Sequence, residues 1–491
     1  MSVTGPSEPP PLRAAILAEL AARGVPVRTL SATEPPVLLI GQGARRRMFW
    51  RAFTDATSHV GTVVSTSKPL CKMLLAGAGL PVPDGAVARD ADDAVALARR
   101  IGLPVAIKPM GADLGAGVNV DLRHEQAVRE AYALARPHGP VLVERHVAGA
   151  NHRMLVIAGR FVAAVRHTPA QVVGDGVSSV AALVHRVNAG RTDTLSPDNK
   201  KIALDDSALW TLKWQGLTLE SVPGAGATVW LQSASNLSKG GTCVSVTDRV
   251  HPENRALVER AARLLQLDVA GIDFVTPDIA QPWWTMAGAI IEVNATPGLV
   301  MGEPLGRIES LFVDTQLPPG DDARIPTVAL LGTQPGLARA VERMLARRGC
   351  AVAVCDARGV RVGAVPRRVA RGAVADGIAV ALADPQATAA VFDFTGADPA
   401  GAGEALDAAG LDRIDVAILP DAPSLPASLA GALARRAATL LSSPPPEGGR
   451  SRDWVAAHGA VTRIDGPDAL RRVDAVLGDL VARRARAQNP M

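Results

Sequence analysis

Two rhythms of apolar and polar residues run along the chain, and the point where one gives way to the other divides it. In the first, short apolar runs alternate with amphipathic stretches punctuated by glycine and proline. Residues 1–11 (MSVTGPSEPPP) read as a disordered tail, followed by a helix over 12–23 and a strand over 37–40. A helix is predicted over 68–78, with Ser65, Thr66 and Ser67 as N-cap candidates and Gly79 at its end. Pro81 and Pro83 then break the chain, and Asp90 caps a second helix that runs to Arg100 and closes at Gly102. Residues 104–108 (PVAIK) read as a strand. After a glycine-rich turn over 111–117, the segment 118–122 (VNVDL) alternates apolar with polar, which is the period of a strand. A helix over 125–135, a strand over 141–144, an amphipathic helix over 253–266 and strands over 269–275 and 289–294 complete this part near Leu299.

The second rhythm begins at Pro326. Strand-like runs (VALLG, AVAVCD, AAVFDF, DVAIL) alternate with helical stretches, the pattern of a parallel α/β layer. The expected division is therefore a tail over 1–11, a short α/β segment over 12–64, a main domain over 65–314, a linker over 315–325 and a second α/β domain over 326–491. The expected fold class is α/β, and no internal repeat interrupts it.

Composition narrows the function. A chain of 491 residues with 48% apolar and 20% charged residues supports a packed core and about three domains. A net charge of +4 is too weak and dispersed to imply nucleic-acid or membrane partners. Four cysteines do not make a disulfide framework, and no apolar run reaches the roughly 18–20 residues of a membrane span. With no signal-peptide pattern at its start, the chain is expected to be cytoplasmic. One imbalance stands out: of 52 basic residues only seven are lysine, all between Lys68 and Lys239. A mechanism that needs lysine is thereby confined to the first part of the chain.

Two constellations carry chemistry. The loop from Gly111 through Gly115 to Gly117 is followed by a strand, not by the helix a dinucleotide fingerprint requires. Strand, glycine loop and strand instead make a flap whose backbone N–H groups can cover phosphates, with Lys108 just before it. Taken alone, an ordinary hairpin beside a solvated lysine explains this as well. The second is Glu292 and Asn294 in the run IIEVN, which point to one face of a strand while Ile291 and Val293 are expected on the other. With Asp273 on the preceding strand they offer the hard oxygens that Mg²⁺ prefers.

Over about 65–299 the chain resembles the ATP-grasp ligases, and in particular the ATP-grasp half of the cyanophycin synthetases. The matching strings include KPLCKMLLAGAGLPVP from Lys68, AIKP ending at Pro109, GANHR ending at Arg153, NLSKGGT from Asn236, VAGID ending at Asp273 and IEVNATPGL ending at Leu299. The resemblance implies that Lys68 and Lys108 contact ATP phosphates, that Glu144 and its backbone neighbours hold the adenosine, and that Gly111, Gly115 and Gly117 belong to the phosphate flap. It implies Mg²⁺ on Asp273, Glu292 and Asn294, with His152 and Arg153 facing the substrate carboxylate. The implied reaction joins a carboxylate to an amine through an acyl phosphate, on an amino acid or other small acid, and the implied assembly is a homo-oligomer. A non-catalytic nucleotide-binding homologue that regulates a partner ligase is the alternative.

Two departures accompany the resemblance. The flap and the stretch after Leu299 (Val300 to Glu303) lack the polar residues that the family carries there. The part from Arg324 resembles a Mur-ligase-like domain, but Pro335 and Leu337 occupy a segment where a P-loop with its lysine is expected. It reads as truncated and catalytically dead, so that cyanophycin is not an expected product of this chain alone.

Overall fold

The computed structural model describes residues 11–30, 36–110, 117–191, 200–235, 237–297, 307–331, 336–367, 374–394, 406, 411–419, 436–442, 461–463 and 468–488. The chain is α/β, as expected, and forms two compact units. One comprises Trp50–Thr315 with the described residues up to Ile16; the other joins Leu17–Phe49 to Gln316–Met491.

The first unit opens with two helices, α1 (His59–Thr66) and α2 (Lys68–Gly77). A four-stranded antiparallel sheet follows, made of β1 (Gly85–Ala88), β2 (Val105–Pro109), β3 (Asn119–Leu122) and β4 (Val141–Arg145), in the order β1-β4-β2-β3. Helices α3 (Ala91–Ile101) and α4 (Glu125–Ala135) cover one face of it. The α3 cap is the one its sequence predicts: the Asp90 carboxylate accepts from the Asp93 N–H at 2.8 Å, and Gly102, at φ 89°, ends the helix. Ala94, Val95, Leu97 and Ala98 then face Val105, Ile107 and Val143 in a small core.

A second antiparallel sheet has five strands. They are β5 (Ala150–Ile157), β6 (Arg160–Thr168), β9 (Thr242–Ser245), β10 (Val269–Thr276) and β11 (Ala289–Asn294), in the order β9-β6-β5-β10-β11. Between β6 and β9 the chain makes a sub-lobe with its own core: β7 (Gln171–Val173), α5 (Val180–Ala189), α6 (Asp206–Trp214) and β8 (Thr228–Trp230). Helix α7 (Pro252–Leu264) packs Leu257, Val258, Ala261 and Ala262 onto the sheet face that carries Met154, Val156, Ile272 and Phe274.

In the second unit, an eight-stranded sheet follows the order 365–367, 359–362, 352–356, 389–393, 327–330, 414–419, 437–442 and 461–463. All pairings are parallel except the two at the 365–367 edge, so the expected parallel layer carries an antiparallel hairpin. Residues 332–335, part of the segment where a P-loop is expected, lie outside the described residues, as do 300–303.

The expected boundaries shift. Residues 17–49 belong with the second unit, and the expected linker is part of its interior: Asp321, Ala323, Arg324 and Ile325 are all buried. The segment reads as a linker because it is polar, yet its charges are paired. Arg45 binds Asp321, and Arg324 donates to Asp412 at 2.6 Å and to the Gly24 carbonyl at 3.1 Å. Arg484, from the last helix (Ala469–Gln488), binds both Asp322 and Asp415, and Asp415 also accepts from the Thr327 N–H at 2.9 Å.

Candidate active site

Cross-strand register builds the centre of the site. Asp273 on β10 stands opposite Arg153 on β5 and Glu292 on β11. Residues opposite each other on one sheet face have Cβ atoms about 5 Å apart, so this row brings a guanidinium and two carboxylates together without long side-chain reach. Arg153 grips Asp273 with both arms, Nε to Oδ1 at 2.5 Å and Nη2 to Oδ2 at 3.1 Å. Lys68 reaches Glu292 at 3.2 Å from the start of α2.

A register shift between Asp273 and Phe274 marks a bulge. It changes one sequence expectation: Val293 packs in the core, as its period predicts, but Ile291 lines the cleft with Glu292 and Asn294. Asn294 stands opposite Gly271 and donates to its carbonyl at 3.4 Å. Gly271 must be glycine here, because a Cβ would lie 2.5 Å from the Pro297 Cβ and 3.2 Å from the Arg153 Cδ.

Across the cleft, β4 and β2 place Glu144 beside Lys108 at 3.0 Å. Lys72, one turn after Lys68 on α2, binds the other oxygen of Glu144. The side chains of Lys72, Lys108 and Glu144 are only 14%, 10% and 2% exposed. Burial pulls the Lys72 ammonium down to about 8, against the attraction of Glu144. Burial also opposes the charge on Lys108, but Glu144, with help from Glu292 and Asp273, holds its pKa above the usual lysine value. The two ammonium groups keep Glu144 below the ordinary glutamate value despite its burial.

The charged residues of this set other than Lys72 line one cleft of about 1830 Å³ inside the first unit. Ligand pockets run to about 300–1,000 Å³, so there is room for more than one small molecule. Lys68, Lys108, Glu144, Arg153, Asp273, Glu292 and Asn294, all named from sequence, meet there. Gly117 is described, with φ 68°; Gly111 and Gly115 lie outside the described residues.

Three expectations need correction. His152 is not in the cleft. It alternates with Arg153 along β5, is buried with Nδ1 unpartnered, and burial lowers its pKa to about 4, so it is neutral. The Glu144 side chain, expected to help hold an adenosine, is taken up as counter-ion to two lysines. Lys72, to which the sequence assigns no role, joins the site by pairing with Glu144. Its spacing of four from Lys68 was the available signal, because i and i+4 share a helix face.

Parts of the chain are similar to known proteins. Residues 64–136 match the family model of an ATP-grasp domain. Cyanophycin synthetase of a Nostoc species is 36% identical over 333 residues, which is 66% of this chain and 37% of that protein. The glutathione biosynthesis bifunctional protein of Mannheimia succiniciproducens is 32% identical over 257 residues, half of this chain and 34% of that protein. A solved bifunctional glutathione synthetase from Pasteurella multocida aligns over 59% of this chain and 42% of its own, with 28% identity and a TM-score of 0.42. The chain thus spans little more than a third of the curated relatives it matches. Within the first compact unit, residues 64–136 are thus similar to an ATP-grasp domain.

Proposed function

We propose that the first unit is an ATP-dependent carboxylate–amine ligase that forms an amide through an acyl phosphate, with an amino acid or other small acid among its substrates. The observation that carries this reading is the Arg153–Asp273–Glu292 row facing Lys68 and Lys108 in one cleft, with Lys72 paired to Glu144 of its lining. Lysines and an arginine suit a polyphosphate and a carboxylate. Two carboxylates and an amide oxygen on one sheet face fit Mg²⁺, a hard cation that usually shares its coordination with phosphates. When bound by Asp273, Glu292 and Asn294, it neutralises phosphate charge.

The chain's own work is positioning and charge neutralisation. Lys68, Lys72 and Lys108 hold the triphosphate. Arg153 aligns the acid so that a carboxylate oxygen attacks the γ-phosphorus while the bond to the β–γ bridging oxygen breaks and ADP leaves. The amine nitrogen then attacks the acyl carbon, phosphate departs with the C–O electron pair, and the ammonium proton passes to solvent. Arg153 stays beside the developing negative charge.

The second unit, in this reading, is a Mur-ligase-like domain without phosphate-binding chemistry of its own. It contains no lysine, and Leu337 opens the helix after the first parallel strand. The test is ADP release from Mg-ATP across pairs of amino acids and small acids. Release that depends on an organic acid supports the ligase; ATP binding without any such release overturns it and leaves a nucleotide-binding homologue.

A further inference from the structure

The cleft is chemically two-sided. Outside residues 210–238 its lining includes eight lysines or arginines and four aspartates or glutamates. Within 210–238, eleven residues line it and none is charged; they are indoles, hydroxyls, amides and small apolar groups. Three of the chain's seven tryptophans, Trp210, Trp214 and Trp230, stand there.

Two of them have a packing role. Trp210 and Trp214 lie one turn apart on α6 with ring centroids 6.0 Å apart, and both pack against the core of the first sheet and its helices. Trp214 also stacks on His124 at 6.1 Å. Trp230 has no such role. On β8 its neighbour Val229 is buried in the sub-lobe core, so the alternation turns Trp230 outward, where it is 38% exposed.

That exposure is built into the wall. Gln215, just past the end of α6, donates to the Trp230 carbonyl at 2.7 Å and accepts from the Trp230 N–H at 3.0 Å, which clips strand to helix. An indole at the surface of a cleft, on a strand clipped in place and beside groups that carry no charge, offers a flat apolar face.

We propose that this wall is a substrate-specificity subsite for an aromatic or bulky apolar side chain of one organic substrate, with Trp230 as its stacking platform. A charged side chain placed there would lose hydration and find no counter-ion among these eleven residues. This assignment rests on the ligase reading for its reaction but not for its binding.

The test uses the full chain with Mg-ATP and L-phenylalanine, L-tryptophan and L-leucine, set against L-aspartate, L-lysine and L-arginine. The apolar members are expected to support ADP release at the lower KM. Trp230→Ala is expected to raise that KM at least tenfold, leaving the KM for ATP unchanged, and Trp230→Phe to restore most of it. A lower KM for a charged amino acid, or an unchanged KM in Trp230→Ala, overturns the subsite while the ligase reading stands. If no amino acid supports ADP release, the ligase reading is decided separately by the other small acids. Calorimetry with L-phenylalanine and a non-hydrolysable ATP analogue then decides. Binding that is lost in Trp230→Ala supports the subsite, and no binding, or equal binding by the variant, refutes it.

Discussion

Glu144→Gln is the most informative single change in the first unit. The glutamine is nearly isosteric, so packing is kept while one negative charge is removed from between Lys72 and Lys108. Both lysines are well below one-third exposed, so solvent screening cannot absorb the loss. Removing one partner of a buried ion pair destabilises by about 3–5 kcal/mol. A second estimate agrees: keeping Lys72 neutral at pH 7, against an unperturbed pKa near 10.4, takes about 4–5 kcal/mol at roughly 1.4 kcal/mol per unit. For a unit of this size each kcal/mol lowers Tm by about 2–4 °C, so a fall of about 6–20 °C is expected. Differential scanning calorimetry of the full chain reads it. The same variant makes a less obvious demand. With two lysines lacking a counter-ion, a polyphosphate becomes the missing anion, so ATP should raise the Tm of Glu144→Gln by more than it raises that of the parent. The double change Lys72→Met with Glu144→Gln should recover part of the lost stability. A Tm within 2 °C of the parent (a loss below about 1 kcal/mol), or an ATP-induced rise no larger than the parent's, would refute the assignment of Glu144 as a shared counter-ion.

Two further outcomes follow from the paired charges. Because burial lowers Lys72 to about 8, it loses its proton as pH rises through that value, so ATP affinity should fall between pH 7 and 9, and in Lys72→Gln the fall should flatten; an identical pH profile in fluorescence titrations of both proteins argues against phosphate contact by Lys72. In the second unit, Arg484→Met strips the nearer cation from Asp322 and Asp415, leaving Arg413 at 3.7 and 3.9 Å, with an expected loss of about 1–3 kcal/mol in urea unfolding. Arg484 holds Asp322 below the ordinary carboxylate range. Without it the folded Asp322 carboxylate binds a proton more readily, so the deficit should shrink as pH falls from 7.5 to 5, and a pH-independent deficit contradicts the network.

The sequence by itself determined whatever depends on near neighbours in the chain. Alternation in VNVDL and IIEVN set strands, Asp90 and Gly102 set the ends of a helix, and the spacing of Glu292 and Asn294 set their common face. Even the place of the site, before residue 300, was legible from where lysine survives. The tertiary structure alone decided what depends on register and burial. One bulge in β11 put Ile291 into the cleft, and the pairing of β5 with β10 made Arg153 the partner of Asp273 while turning His152 into the interior. Burial made Lys72 and Glu144 a charge pair across 72 residues of chain. It also drew the polar stretch 321–325 into a core, because a charge can enter the interior only when a distant residue brings its counter-charge. Sequence spacing records the neighbours of a residue along the chain. Which charge it will meet across a sheet or a core is settled only when strands pair and water leaves.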